Sequence, residues 1–190
     1  MFIQTEATPN PATLKFLPGQ TVMQTGSADF PSAEGAEASP LATRIFDVDG
    51  IVGVFLGPDF VSVSKNDTVD WAHIKPAILG AIMEHYQSGD PVLAGESEPG
   101  ADGHAAHDGP DGEIVGQIKE LLDTRVRPAV AQDGGDITFH GFDSGVVYLT
   151  MKGACAGCPS STMTLKHGIE NLLRHYIPEV TEVRPVGMTF

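Results

Sequence analysis

The sequence predicts an α+β protein made of two small domains that an acidic, flexible linker joins. Three observations lead to this prediction. Helical and strand-like patterns occur on both sides of residues 91–112, this stretch holds five acidic and no basic residues, and Val92 and Leu93 are the main apolar residues it offers for burial. Such a segment cannot offset the entropy of ordering itself. We therefore expect one domain over 1–90, the linker over 91–112 and a second domain over 113–190.

In the first domain, alternating apolar residues and turn signals predict four strands and two helices. The strands are expected at 2–7, 13–17, 51–56 and 60–64, and the helices at 41–46 and 69–86. Ser39 followed by Pro40 marks the start of the first helix, because Ser is a favourable N-cap and Pro suits the first turn. Residues 32–39 are expected to form a loop, and Pro76 to start or kink the second helix.

The second domain is expected to follow the order helix, strand, strand, helix, strand, with the helices on one face of the sheet. An apolar stripe predicts a first helix that reaches Val126, with Pro128 weakening its end. The turn Asp143-Ser144-Gly145 joins strands at 137–142 and 146–151 into a hairpin. A second amphipathic helix ends at Pro178, and a weak strand follows over 180–186.

The charge of the chain argues against two classes of partner. Its 190 residues include 11 Lys and Arg against 25 Asp and Glu, a formal net charge of −14. Nucleic acids and anionic membranes attract basic surfaces, so we expect neither as a partner. The sequence has no apolar run long enough to cross a bilayer, and its first residues lack the pattern of a signal peptide. We expect the cytoplasm of a bacterium, or the mitochondrial matrix if a transit peptide has been removed.

The cysteines Cys155 and Cys158 form a single C-x-x-C between a predicted strand and a predicted helix. If Pro159 takes the first helical position, Cys158 is the N-cap. The unsatisfied N–H groups and partial positive charge of a helix N-terminus stabilise thiolates, the form of cysteine that binds metals or attacks disulfides. The small residues Ala156 and Gly157 let both sulfurs converge on one side. We therefore expect the chemistry of the protein to lie here.

Three interpretations of this pair stay open on the residues alone. A structural disulfide or two inert buried thiols are disfavoured, because the small flanking residues offer little apolar cover. A thioredoxin-like dithiol–disulfide oxidoreductase would usually carry an aromatic residue before the first cysteine, where this chain has Ala154. A metal site needs about four ligands, and the pair supplies two. The others would be histidines, such as His104 and His107, or the same pair from a second copy in a two-fold homodimer, bridged by zinc or by an iron–sulfur cluster.

A resemblance to a known family is carried by longer motifs. The C-terminal domain of NifU proteins is similar to the stretch made of Asp133-Gly134-Gly135 and Gly153-Ala154-Cys155-Ala156-Gly157-Cys158-Pro159-Ser160-Ser161-Thr162-Met163-Thr164-Leu165. The N-terminal domain of Nfu-type proteins is similar to residues 2–11 together with Leu14-Lys15-Phe16. The glycines and the Pro-Ser-Ser run belong to the shape of the motif, and the resemblance assigns them no chemical role.

This resemblance implies an iron–sulfur cluster scaffold and carrier rather than an enzyme. It implies that a homodimer holds a [4Fe–4S] cluster between two protomers, with Cys155 and Cys158 of each as the cluster-binding and metal ligands. The implied partners are the upstream iron–sulfur assembly machinery and the apo-proteins that accept the cluster. No catalytic residue is expected, and the first domain is expected to bind or orient a partner.

Overall fold

The structure of this chain, a computed structural model, describes residues 1–94, 111–156 and 158–186. The chain divides into two compact units, Met1–Gly100 and Ala101–Phe190, and both combine helices with strands. The α+β class is therefore confirmed. Residues 95–110 of the predicted linker, with His104 and His107, lie outside the described residues. Within the described ranges, none of the helices has the length and apolar character needed to span a membrane.

The first unit is built on a five-stranded antiparallel sheet with the spatial order β1-β2-β5-β4-β3. Its strands are β1 (Gln4–Ala7), β2 (Thr13–Leu17), β3 (Ala28–Phe30), β4 (Ile51–Leu56) and β5 (Val61–Lys65). Its helices are α1 (Pro40–Phe46) and α2 (Trp71–Ser88), with a 3₁₀ helix over Ala33–Ala38 before α1. Fully buried residues from the helices and the sheet form one core, which includes Phe16, Ile45, Leu56, Val63 and Ile78.

The predicted start of α1 is confirmed. The Ser39 hydroxyl accepts the Ala42 N–H at 3.1 Å, and Pro40 occupies the first turn. Two other features were not expected from the sequence. The segment 32–39, predicted to be a loop, contains the 3₁₀ helix, because Ala36 packs into the core and its carbonyl accepts the Thr43 hydroxyl. The strand β3 has three residues, too few for a recognisable alternation.

Residues 92–94, at the start of the predicted linker, run back along the first unit. The Ala94 N–H donates to the Ala38 carbonyl at 2.7 Å, and the Ser39 hydroxyl donates to the Val92 carbonyl. The side chains of Val92 and Leu93 are partly buried against the core. These contacts attach this short segment to the first unit.

The second unit has a three-stranded sheet in the order β6-β7-β8, with β6 and β7 antiparallel and β8 parallel to β7. Its strands are β6 (Gly135–Asp143), β7 (Val146–Gly153) and β8 (Glu182–Pro185). A first helical stretch comprises α3 (Gly112–Leu121), a π-helical turn (Leu122–Val126) and α4 (Arg127–Gln132), and α5 (Pro159–Tyr176) follows β7. The predicted order of helix, strand, strand, helix, strand is confirmed.

Pro128 was predicted to weaken the end of the first helix of this unit. The helical stretch instead continues past it to Gln132. Proline has no N–H and its ring clashes with the preceding turn of a regular α-helix. Here the π-helical turn accommodates it: the Arg127 N–H donates to the carbonyl of Leu122, five residues back. A π turn widens the helix locally, so Pro128 enters the first turn of α4 without ending the helical stretch.

The predicted hairpin between β6 and β7 is confirmed by its backbone. Ser144 and Gly145 both have positive φ angles, 50° and 84°. Two consecutive residues with positive φ angles form a two-residue hairpin turn whose twist matches that of the flanking strands. The hairpin aligns β7 so that its end, Gly153, pairs with Gly135 at the start of β6.

Candidate metal centre

Cys155 and Cys158 lie where β7 ends and α5 begins. Cys158 is the N-cap residue of α5, with extended backbone angles (φ −111°, ψ 108°), and Pro159 occupies the first turn. The predicted N-cap position is therefore confirmed, and Pro is well tolerated after it because its missing N–H would be unpaired in any case. Both cysteines are free thiols. Gly157, one of the two small residues expected to let the sulfurs converge, lies outside the described residues.

The two thiols have different surroundings. Cys155 is 6% exposed and belongs to the apolar core of the second unit, whereas Cys158 is only partly buried. The expectation that small flanking residues leave both cysteines without apolar cover is wrong for Cys155. Side chains that are distant in the sequence cover it, and the local composition carries no information about them.

The different surroundings shift the pKa values of the two thiols in opposite directions. Burial, together with the nearby carboxylates of Asp133 and Asp136, raises the pKa of Cys155 to about 12. Hydrogen bonds from Ser160 and Ser161 lower the pKa of Cys158 to about 7. The helix N-terminus was expected to favour the thiolate of both cysteines, but only Cys158 has a lowered pKa.

We expect a thiol-alkylating reagent to modify Cys158 before Cys155 in the folded, metal-free protein. The thiolate is the reactive form, so the rate at Cys158 is expected to rise with pH around a midpoint near its pKa of about 7, while Cys155 stays protonated and buried. Peptide mass spectrometry after brief iodoacetamide treatment on either side of neutral pH measures both rates. Equal rates for the two residues would contradict this asymmetry.

The turn Asp133-Gly134-Gly135 supports the cysteine loop. Gly134 has a φ of 81°, and its carbonyl accepts the Ala154 N–H at 3.1 Å. A Cβ atom added at Gly135 would lie 2.5 Å from the Cys155 Sγ and 2.8 Å from the Lys152 carbonyl oxygen. Gly135 thus makes room for the thiol, a specific role that its place in the sequence motif did not reveal.

Asp136 holds the start of β6 in place beside that turn. Its carboxylate is buried and receives two hydrogen bonds of 3.0 Å from the Arg127 guanidinium, and it also accepts the Ile137 N–H at 2.8 Å. Arg127 reaches Asp123 as well, at 3.2 Å. A bidentate Arg–carboxylate pair of this kind has a defined geometry. The pair links α4 to the strand on which the cysteine loop rests, a contact that periodicity in the sequence does not predict.

Thr162 is a further residue of the site that was not singled out from the sequence. It is 6% exposed, and its hydroxyl donates to the Cys155 carbonyl at 3.0 Å. One sequence signal was present: Thr162 precedes Leu165, Ile169 and Leu173 at helical spacing, so a polar residue stands on the apolar side of α5. A polar residue in that position needs a hydrogen-bond partner.

Within the described residues, no group of three or more His, Cys, Asp and Glu side chains is placed to hold a metal ion. The whole chain has two cysteines, Cys155 and Cys158. One chain therefore supplies at most two of the four ligands of a site made of four thiolates.

Comparisons with known proteins match both units. The family described as "Scaffold protein Nfu/NifU N terminal" matches residues 3–89, and the family described as "NifU-like domain" matches residues 118–184. The "NifU-like protein 4, mitochondrial" of Arabidopsis thaliana is 55% identical over 96% of this chain and 65% of its own length. Two proteins named "NFU1 iron-sulfur cluster scaffold homolog, mitochondrial" are also similar. The Drosophila sechellia protein is 51% identical over 98% of this chain and 65% of its own length, and the Homo sapiens protein is 49% identical over 98% and 72%. The chain thus spans just under two thirds of the first of these relatives.

Proposed function

Because this chain belongs to the Nfu/NifU-like family, we propose that it is an iron–sulfur cluster scaffold and carrier, in which the cluster is cargo held between two copies of the chain. The observation that carries the proposal is the pair of free thiols, Cys155 and Cys158, at one strand–helix junction of a chain with no other cysteine. The names of the relatives as iron–sulfur cluster scaffold homologues support it.

Two copies account for the number of ligands. A [4Fe–4S] cluster is commonly held by four cysteine thiolates, and each chain supplies Cys155 and Cys158. A two-fold axis through the cluster brings two identical pairs together. The N-terminus of α5 in each copy would then face a cluster whose formal charge with four thiolates is about −2, which the partial positive charge of a helix N-terminus favours.

The same arrangement suits a carrier better than an enzyme. Each protomer holds the cargo through two residues, and the partly exposed Cys158 leaves an approach for the thiolates of an acceptor protein. We propose that the upstream assembly machinery supplies the cluster, that apo-proteins receive it, and that the first unit binds or orients one of these partners. The relatives are named as mitochondrial proteins, which supports the mitochondrial alternative to a bacterial cytoplasm.

Anaerobic reconstitution with iron and sulfide tests the proposal. We expect about two iron and two sulfide ions per chain, a broad visible absorption band and a dimer in sedimentation, with return to monomer when a chelator removes the iron. The loaded protein is also expected to pass its cluster to an apo-ferredoxin. Bound zinc without iron would favour a zinc-bridged structural dimer, and mixed disulfides without any metal would favour a dithiol oxidoreductase.

The two domains are expected to separate in function. Since both cysteines lie beyond the predicted linker, a fragment of residues 113–190 should fold and take up the cluster, and a fragment of residues 1–90 should fold without doing so. Circular dichroism and iron content of each fragment, beside the full chain, measure this. Failure of 113–190 to take up a cluster that the full chain binds would assign part of the site to the first unit.

A further inference from the structure

Thr162 contacts the backbone of both cysteines. Its N–H donates to the Cys158 carbonyl at 2.9 Å, which is the first hydrogen bond of α5, and its hydroxyl donates to the Cys155 carbonyl at 3.0 Å. The side chain is buried, so the second bond is shielded from water. One residue therefore connects the two ends of the C-x-x-C loop.

The direction of the hydroxyl bond is unusual for a threonine in a helix. Such hydroxyls commonly bond to the carbonyl three or four residues earlier in the same helix. Thr164 in α5 and Thr124 in the π-helical turn do this, with donations to Ser160 and Glu120. The hydroxyl of Thr162 instead reaches seven residues back, out of the helix and into the cysteine loop.

We propose that Thr162 is a positioning residue that sets the separation of the two thiols by tying the Cys155 carbonyl to the first turn of α5. The effect of Thr162 on cluster binding rests on the proposed function. Its effect on the position of Cys155 in the metal-free protein does not depend on that function. Two backbone hydrogen bonds link the loop to the sheet side: the Ala154 N–H bonds to Gly134, in the turn before β6, and the Ala156 N–H bonds to Gly153 of β7.

The test compares three variants of the full chain. Thr162→Val keeps the shape of the side chain but removes the hydroxyl, Thr162→Ser keeps the hydroxyl, and Thr164→Val removes a matched hydroxyl from the exposed side of the same helix. After reconstitution with iron and sulfide, we expect Thr162→Val to lose its cluster to a chelator about tenfold faster than the wild type, from the loss of one buried hydrogen bond. Thr162→Ser and Thr164→Val are expected to match the wild type.

A second measurement uses the metal-free protein. If the hydroxyl bond holds Cys155 in its buried position, Thr162→Val raises the rate of Cys155 alkylation relative to Cys158 about tenfold, and Thr162→Ser restores it. A general loss of stability would instead make the rate of Cys155 alkylation rise with low urea concentrations as steeply as global unfolding does, whereas release of the loop alone would leave this rate almost independent of urea. If Thr162→Val does not fold, Thr162→Ala serves in its place.

The outcomes separate the two proposals. The positioning role would be overturned if Thr162→Val loses its cluster and is alkylated at Cys155 at wild-type rates. It would also be overturned if Thr162→Ser, which keeps the hydroxyl, behaves like Thr162→Val. If the wild-type protein takes up no cluster at all, the proposed function fails, and the alkylation ratio alone decides the role of Thr162.

Discussion

Replacing either Cys155 or Cys158 by serine is expected to abolish stable cluster binding while the fold persists. In a homodimer each substitution occurs twice, so either change removes two of the four thiolates from the shared site. Oxygen is a poor ligand for a soft iron–sulfide core, so a site with only two thiolates should not hold the cluster. The visible absorption and the iron content are expected to fall to background in both variants. Their far-UV circular dichroism spectra are expected to match that of the wild type.

The two variants are expected to differ in stability, and this difference tests the burial of Cys155. Cys158 is partly exposed and is the N-cap of α5, a position that favours serine, so Cys158→Ser is expected to unfold at the same urea concentration as the wild type or at a higher one. Cys155→Ser places a hydroxyl in the core and is expected to cost about 1–3 kcal/mol of unfolding free energy. Cys155→Ala, which buries no polar group, serves as its control and is also expected to bind no cluster.

An oxidoreductase would give a different result. Because Cys158 has the lowered pKa and the partial exposure, it would be the attacking thiol, and Cys155→Ser would leave it to accumulate mixed disulfides. Such trapped partners, together with a wild-type protein that binds no iron, would contradict the scaffold function.

Gly135→Ala is expected to damage both the fold and the site, although residue 135 is no ligand. The new Cβ would lie 2.5 Å from the Cys155 Sγ, 2.8 Å from the Lys152 carbonyl oxygen and 3.1 Å from the Cys155 nitrogen. Two of these atoms belong to the backbone and cannot move without disturbing β7 or the cysteine loop. We expect a loss of about 3 kcal/mol in unfolding free energy, as for other overpacked sites, and a cluster yield at least about tenfold below that of the wild type.

Gly141→Ala is the matched control, because Gly141 lies in the same strand and a Cβ there meets no atom within 4 Å. Its unfolding free energy is expected to change by less than about 0.5 kcal/mol, with wild-type iron content. Urea denaturation followed by circular dichroism, together with iron analysis, measures both variants. A Gly135→Ala protein with wild-type stability and iron content would show that the thiol does not need the space beside Gly135.

Local patterns in the sequence were sufficient for most of the secondary structure. Ser39-Pro40 marks a helix start through a side-chain hydrogen bond within one turn, and Cys158-Pro159 marks one through the fixed φ of proline at the first helical position. Ser144-Gly145 specifies a hairpin turn through its own backbone angles. Each of these signals acts between residues that are neighbours in the chain. Longer motifs, around the cysteine pair and near the start of the first domain, carried the family resemblance, which the comparisons confirmed.

The local signals failed at two places, at one because the backbone itself adapted and at the other because of a tertiary contact. Proline near a helix end usually stops the helix, yet the stretch after Arg127 continues because a π-helical turn accommodates Pro128. The short helix Ala33–Ala38 is held by the burial of Ala36, a tertiary contact that the loop-like composition of 32–39 conceals.

The sequence by itself thus determined the α+β class, the order of the elements in the second unit and the position of the cysteine pair between β7 and α5. Only the tertiary structure decided that Cys155 is buried while Cys158 is partly exposed, that Gly135 leaves space for a thiol, and that Thr162 reaches back to the cysteine loop. The physical reason is the range of the interactions. Helix caps and turns depend on neighbouring residues, whereas burial and side-chain hydrogen bonds depend on which distant segments the fold packs together.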